Sequence, residues 1–397
     1  MRIGIDARFY GSLGKGLGRY TEKLILHLEA IDTDNEYVVF LRRENFDEYI
    51  PRSPRFRKVV AQYAWYGLSE QTLFVMLLYR FRFDLVHFPH FNVPLLYRRP
   101  FVVTIHDLIL VHYPTLRNTT RWAPLYWAKF LVYRLVIASA IARARSIITV
   151  SHFTEADLLA TYPLSAGKIT VTYEGAELSC EWSGAEETRR LFERLSLISG
   201  TSHDILEAVV PYFLYVGNAY PHKNLEILFA VARAFPTYRL VLVGKADFFY
   251  QRLREKTEEL GLTNVIFTGF LTDRELSPLY RFSRAYVFPS LYEGFGLPPL
   301  EAMSRGAVVV ASEAGSLPEI LGEAASYYES KNGEALISAL HRITTDRSYV
   351  EILRERGYRQ VARYSFRTMA TLTLALYQAH ANTIINPTDS HASTILS

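Results

Sequence analysis

Cysteine is almost missing from this sequence: Cys180 is the only one in 397 residues. A lone thiol excludes an internal disulfide framework and most cysteine metal sites, and reads as a reduced intracellular thiol. Charge of one sign is also missing. Lys and Arg number 44 against 40 Asp and Glu, a net charge of +4. That mild balance does not mark a nucleic-acid protein. It suits an anionic substrate or an acidic membrane surface without demanding either. The N-terminus, Met1-Arg2-Ile3-Gly4-Ile5-Asp6, has no long apolar run and no cleavage site. It reads as a first strand rather than a signal peptide. There is no short-period repeat.

What is present is ample apolar material. Hydrophobic residues make up 49% of the chain, enough for real cores. At roughly 150 residues per domain, the length suits two or three domains. Trp122 to Ala142 is mostly apolar and rich in Trp and Tyr, but it holds Lys129 and Arg134. A charge near the centre of a spanning helix costs about 2.5–3.5 kcal/mol. A helix packed on a domain core, or a surface helix touching lipid, therefore fits better than a span.

Short apolar runs alternate with helical patterns. Ile3–Ala7, Tyr37–Leu41, Asp84–Pro89, Phe101–Asp107 and Ser146–Ser151 read as strands, with helices at Arg19–Ala30 and Ser69–Phe81 among them. Near-continuous β-branched runs fit buried parallel strands. From Leu178 to about residue 210 the chain turns polar and charged, a linker with some helix. The pattern then resumes with Tyr212–Gly217, Arg239–Gly244, Val265–Phe270, Ala285–Ser290 and Val308–Ser312. The spacings Thr272…Glu275 and Ser316…Glu319 both fit capping boxes. The expected fold class is therefore α/β, with two doubly wound parallel-sheet domains of the Rossmann kind, over 1–177 and 211–365. A last helix covers 366–380, and 381–397 reads as a disordered tail.

Open α/β sheets bind ligands at the carboxyl ends of their strands, so the residues after each strand matter most. After the first strand, Gly14-x-Gly16-x-Gly18 leads into a helix. Glycines let a backbone approach a ligand, and a helix N-terminus favours an anion. The spacing is not that of a dinucleotide fingerprint, and no acidic residue ends the next strand. A flexible turn without a ligand fits equally well. His106 and Asp107 follow the fifth run; a structural histidine and a functional one are equally open. Gly217-Asn218-Ala219-Tyr220-Pro221-His222-Lys223-Asn224 places a lysine where it can neutralise a phosphate oxygen, though surface lysines are common.

The most specific segment is Pro289 to Met303. Pro298 and Pro299 suit a helix's first turn. The free amides around Gly296 and Leu297 then point at an anion. Glu293 lies in the loop and Glu301 in the helix. Carboxylates beside an anion site repel a phosphate unless they hold hydroxyls instead, which points to a ligand with both phosphate and sugar.

With these segments in hand, the sequence resembles glycosyltransferase family 4, retaining enzymes of the GT-B architecture, over nearly its whole length. Glu293 and Glu301 form its E-x7-E segment. Gly16-Leu17-Gly18-Arg19-Tyr20, Val103-Thr104-Ile105-His106-Asp107-Leu108, Val150-Ser151-His152-Phe153-Thr154, Lys223-Asn224 and Ser316-Leu317-Pro318-Glu319 support it. Within the family it is most similar to bacterial mannosyltransferases. The resemblance implies two domains facing a cleft, with the last helix crossing back onto the first. It implies Glu301 on the nucleotide ribose, Glu293 on donor-sugar hydroxyls and Lys223 on the diphosphate. Amides of Phe295, Gly296 and Leu297 contact sugar or phosphate, and Phe270 sits by the nucleobase. The Gly16 and Gly18 loop closes on the diphosphate, and His106 lies near the donor sugar and the acceptor. Many members carry an Arg several residues before the lysine; here Asn218 and His222 occupy the loop.

The implied reaction is transfer of a sugar with retention from a nucleotide-diphosphate donor, GDP-mannose foremost. The acceptor is a lipid-linked glycan or growing polysaccharide, as in cell-surface glycan or lipopolysaccharide synthesis. A cytoplasmic setting follows, with peripheral membrane contact and no nucleic acid as partner. No cofactor or metal is expected. Asp32-Thr33-Asp34 resembles a metal-binding acidic triplet but lies at the wrong edge of the sheet. Alternatives are a UDP-sugar glucosyl- or galactosyltransferase, an epimerase or phosphorylase, a non-catalytic sugar-nucleotide-binding subunit, and a dinucleotide oxidoreductase.

Overall fold

The computed structural model of the protein describes residues 1–114, 123–176, 184–199 and 204–385. They form two compact units. The first comprises 1–111, 123–175 and 365–385; the second comprises 112–114, 176, 184–199 and 204–364.

The first unit holds a seven-stranded sheet: β1 (Arg2–Asp6), β2 (Glu36–Leu41), β3 (Phe56–Val60), β4 (Leu85–Phe88), β5 (Phe101–Ile105), β6 (Ser146–Thr149) and β7 (Ile169–Val171). The spatial order is β3-β2-β1-β4-β5-β6-β7, with every pair parallel. The order reverses between β1 and β4, a topological switch point. Strands β4, β5 and β6 are buried throughout, which is why they read as unbroken apolar runs. Sequence reading missed β3 and β7. Both are edge strands whose residues are largely half-exposed, so neither shows a continuous apolar signal.

The helix over Lys15–Ile31 begins earlier than its apolar pattern suggests, so Gly16 and Gly18 lie in its first turn rather than in a loop. A side-chain carbon at Gly18 would sit 2.1 Å from the Gly11 carbonyl, so packing alone demands glycine there. At Gly16 it would meet nothing within 4 Å. Over Ser69–Phe81 the helix opens with a π turn, Glu70–Phe74, before Val75–Arg80. The buried Glu70 carboxylate there takes Arg8 Nη2 at 2.6 Å and Asn92 Nδ2 at 2.8 Å. The Asp32 carboxylate accepts from the Asp34 and Asn35 amides, Asn35 Nδ2 and Tyr37 Oη. It is a filled turn-stabilising group.

The C-terminal helix, Phe366–Ile385, belongs to the first unit and runs five residues past its expected end at His380. The expected disordered tail is thus helical over 381–385, and its remainder lies outside the described residues. Tyr377 Oη bonds His87 Nδ1 on β4 at 2.5 Å, and His380 Nε2 bonds Ser146 Oγ on β6 at 2.8 Å. Gly175 is required where the chain meets this helix, because a Cβ would sit 2.1 Å from Phe366 N.

The second unit repeats the scheme with six strands: β8 (Tyr212–Val216), β9 (Arg239–Val243), β10 (Val265–Gly269), β11 (Ala285–Phe288), β12 (Val309–Ser312) and β13 (Ala325–Tyr328). The order is β10-β9-β8-β11-β12-β13, all parallel, with the switch point between β8 and β11. The polar stretch before it is packed rather than loose. Helix Ala185–Arg194 buries Phe192 against Tyr212 and Phe282, and Arg194 pairs with Glu275 at 2.6 Å. Part of that stretch, 177–183 and 200–203, lies outside the described residues. Thr272 and Glu275 form the expected reciprocal capping box. Ser316 does not: its hydroxyl donates to the Phe295 carbonyl at 3.0 Å, so it ties two loops together instead of capping a helix.

Candidate functional site

In the second unit, β8 and β11 are neighbours on either side of the switch point. The loops that follow them therefore emerge side by side, where open α/β sheets hold ligands. The loop after β8 carries Asn218 and Lys223; the loop after β11 carries Glu293, Phe295 and Gly296. The Leu291 amide donates to the His222 carbonyl at 2.7 Å and joins the two loops. Across this joint, Lys223 Nζ lies 2.5 Å from Glu293 Oε1. The two side chains are 12% and 10% exposed. The ammonium also sits 5.2 Å from the centre of the Phe288 ring.

Lys223 is not on a regular helix. It ends a short 3-10 turn, Pro221–Lys223, and Asn224 follows in the left-handed region at φ 55°. This kink turns the lysine toward the second loop. Around it, His222 Nδ1, Asn224 Nδ2 and Ser290 Oγ are buried without a protein partner. Burial, with Lys223 adding to it, drives the His222 pKa down to about 4, so its ring is neutral at pH 7.

Glu293 is held by its backbone. Its carbonyl accepts from the Ser316 amide at 3.1 Å. Gly315, at φ +60°, passes so close that a Cβ would lie 2.6 Å from both Glu293 N and O. Gly296 caps the helix Leu297–Ser304 at φ 96°. Pro298 and Pro299 have no N–H, so this end presents the Leu297 amide rather than a full ring of donors. Glu301 is half-buried in the second turn of that helix. Phe295 is buried against Tyr364, with ring centres 5.5 Å apart.

Asn218 shapes its loop: its carbonyl accepts from Tyr215 Oη at 2.7 Å, and its Oδ1 from the Tyr220 amide at 3.3 Å. Beside the ends of β9 and β10 lies a cavity of about 410 Å³, lined by Gly244, Asp247, Tyr250, Arg254, Phe267 and Gly269. Phe270 is 76% exposed and borders a separate hollow with Thr268 and Glu275.

His106, Gly16 and Gly18 belong to the first unit. His106 follows β5, with Nδ1 3.1 Å from Glu174 Oε1 and Nε2 2.9 Å from the Pro89 carbonyl. A carbonyl only accepts, so Nε2 carries a proton; the carboxylate favours a second at Nδ1. Burial opposes the charged ring, but Glu174 and the Pro89 carbonyl outweigh it and raise its pKa. The edge of Tyr20, on the glycine-bearing helix, packs against the ring with centres 4.6 Å apart. Its Nε2–H is thus held by the Pro89 carbonyl, and the Glu174 carboxylate favours the protonated ring. Glu174, its partner, was invisible to sequence reading because it follows β7, the three-residue strand that the apolar pattern did not show.

Comparison with known proteins places the chain in a family. The model of Glycosyltransferase Family 4 matches residues 14–179, and that of Glycosyl transferases group 1 matches 207–360. The O-antigen chain mannosyltransferase B of Escherichia coli is 30% identical over 301 residues, covering 74% of this chain and 73% of that protein. The O-antigen chain mannosyltransferase RfbU of Salmonella typhimurium is 26% identical over 376 residues, covering 90% and 94%. Among solved structures, sucrose-phosphate synthase from Thermosynechococcus elongatus superposes with a TM-score of 0.72 at 21% identity, covering 96% of this chain and all of that one. The chain belongs to glycosyltransferase family 4 and is a glycosyltransferase of the GT-B architecture.

Proposed function

We propose that this glycosyltransferase moves mannose from GDP-mannose, with retention, onto a lipid-linked or polysaccharide acceptor in cell-surface glycan synthesis. The observation that carries the donor site is the Lys223–Glu293 pair at the β8/β11 switch point. Mannose and a surface-glycan acceptor rest on the relatives, both named as O-antigen chain mannosyltransferases.

In this reading Glu293 and a diphosphate compete for Lys223. An incoming diphosphate offers Lys223 a doubly charged partner and draws it off Glu293. The freed carboxylate then accepts hydrogen bonds from donor-sugar hydroxyls. The Leu297 amide and Lys223 stabilise the charge that grows on the leaving diphosphate. Asn218 contributes no charge, so the lysine carries more of that task. Glu301 holds the ribose, and the nucleobase enters by Phe270 and the cavity at the ends of β9 and β10. His106, in the first unit, is held at both ring nitrogens by Glu174 and the Pro89 carbonyl and does not act as a base.

Retention then follows from attack on the donor's own face. The bond from C1 to the phosphate oxygen breaks and the bond from C1 to the acceptor oxygen forms. The acceptor proton passes to the leaving phosphate, and no metal is needed. Proton NMR of the product made from GDP-mannose tests this reading. An α-mannoside supports it. A β-mannoside overturns retention, and transfer from UDP-glucose or UDP-galactose in place of GDP-mannose overturns the donor.

A further inference from the structure

At the switch point of the first sheet, the loop after β1 carries Arg8 and Phe9, and the loop after β4 carries Pro89, His90, Phe91 and Asn92. Arg8 is fully buried. Its guanidinium donates to both Asp6 oxygens, at 2.8 and 2.7 Å, to Glu70 Oε1 at 2.6 Å and to the Tyr63 carbonyl at 3.3 Å. Glu70 Oε2 accepts from the Tyr66 amide at 2.8 Å. A buried ion cluster is a weak source of stability. What this one does is grip both ends of the segment Tyr63–Tyr66.

That grip holds Tyr66 in the left-handed region, at φ 61°. A bulky residue adopts it only where the surroundings impose it. Trp65 is locked in place: it stacks on Phe9 with ring centres 4.2 Å apart and planes 3° apart, and the Arg42 guanidinium lies 4.8 Å from its ring centre. Tyr66 projects instead. It is 54% exposed, with Phe91 at 6.4 Å between ring centres, and Phe91 packs on His90. The Pro89 carbonyl of the same loop holds His106 Nε2. An exposed, strained aromatic ring thus stands where an open α/β sheet holds ligands, beside the loop that fixes His106.

We infer that Tyr66 is a contact for a sugar ring of the acceptor, with Glu70 and Arg8 as positioning residues. The inference rests on the proposed transfer to a glycan acceptor. A sugar offers a flat C–H face that suits the negative face of an aromatic ring, and hydroxyls that pair with the phenol. Glycine adopts the same φ without strain, so the turn itself does not call for a tyrosine. Strain of this kind gathers at ligand clamps.

Saturation-transfer NMR of octyl α-mannoside with the full chain, without donor, tests it. The ring protons of this probe should receive more saturation than its octyl chain. Tyr66→Gly should weaken binding by about tenfold, while the melting temperature holds or rises because the strain is released. Glu70→Gln should also weaken binding, and should add no further loss in the Tyr66→Gly background. The shift in melting temperature caused by GDP should be the same in Tyr66→Gly as in the unaltered chain. Absence of saturation, saturation confined to the octyl chain, or binding unaltered in Tyr66→Gly would each overturn the inference. So would a lower melting temperature of Tyr66→Gly, or loss of its GDP shift. If GDP shifts nothing in the unaltered chain, the donor reading fails, and weakened octyl α-mannoside binding in Tyr66→Gly still supports the contact.

Discussion

Lys223 and Glu293 come from loops 70 residues apart in sequence, yet their charged atoms meet at 2.5 Å where β8 and β11 part. Both side chains are nine-tenths buried. Removing one partner leaves a desolvated charge without compensation, which is costlier than removing both. Lys223→Met should destabilise the second unit by about 3 kcal/mol. Lys223→Met/Glu293→Leu should be less destabilised than the sum of the single variants. Denaturant unfolding of the three variants measures the coupling; additive effects would show that the pair has none. Turnover of Lys223→Ala should fall by on the order of 100-fold or more, as for loss of one donor to a developing anion.

Gly315 tests whether Glu293 is held from behind. Its positive φ and the 2.6 Å approach to the Glu293 backbone leave no room for a methyl group. Gly315→Ala changes no charge, yet it should lower activity and cost about 1–3 kcal/mol of stability. Unaltered kinetics would separate the carboxylate's placement from this contact.

The two glycines in the first turn of helix Lys15–Ile31 should behave oppositely. Gly18→Ala drives a carbon into the Gly11 carbonyl and should destabilise the first unit. Gly16→Ala meets open space and removes a flexible residue from a helix, so it should hold or raise stability by up to about 1 kcal/mol. If the donor approaches there, Gly16→Ala raises KM for the donor while the fold gains. An unchanged KM would leave Gly16 without a ligand role.

Buried histidines set the acid response. His87 is fully buried, donating to or accepting from Tyr377 and Thr104, and burial lowers its pKa to about 3. Between pH 6.5 and 3 the unfolded chain binds a proton there that the folded chain refuses. Its contribution is therefore complete above pH 6.5 and is lost as the pH falls, by about 1.4 kcal/mol per pH unit. His106 works the other way: its raised pKa adds stability below 6.5 that is lost as the pH climbs through its folded value. Unfolding from pH 7 to 5 should show His87→Gln with a shallower acid decline and His106→Gln with a steeper one.

The sequence made the sheets legible wherever strands are buried on both faces, as at β4, β5, β8 and β11. It hid β3 and β7, whose edge positions carry charged or polar residues or only three residues, and β13, which follows a short helix. The edge strand β10 was legible because Val265-Ile266-Phe267 is an unbroken apolar run. The E-x7-E spacing placed Glu293 and Glu301 on the correct loop and helix. It could not show that Glu293 reaches Lys223, because that contact depends on β8 lying next to β11. Nor could it show Ser316 tying down Phe295, since the same Ser-x-x-Glu spacing serves a capping box at Thr272. The apolar helix near Trp127 was legible as a choice between core and surface; Tyr133, Ile137 and Ala140 are buried in the first unit, while Trp127, Leu131 and Leu135 are exposed.

The most direct test of the account is binding of GDP, UDP, ADP and NAD, each read as a shift in melting temperature, with Glu301→Ala as control. A ligand at 100 times its Kd adds about 2.7 kcal/mol to the folded state, a shift of several degrees. The account predicts a shift with GDP that exceeds the others and is lost in Glu301→Ala and Lys223→Ala. A response to NAD alone, or a GDP shift that survives both substitutions, would contradict the placement of the donor site.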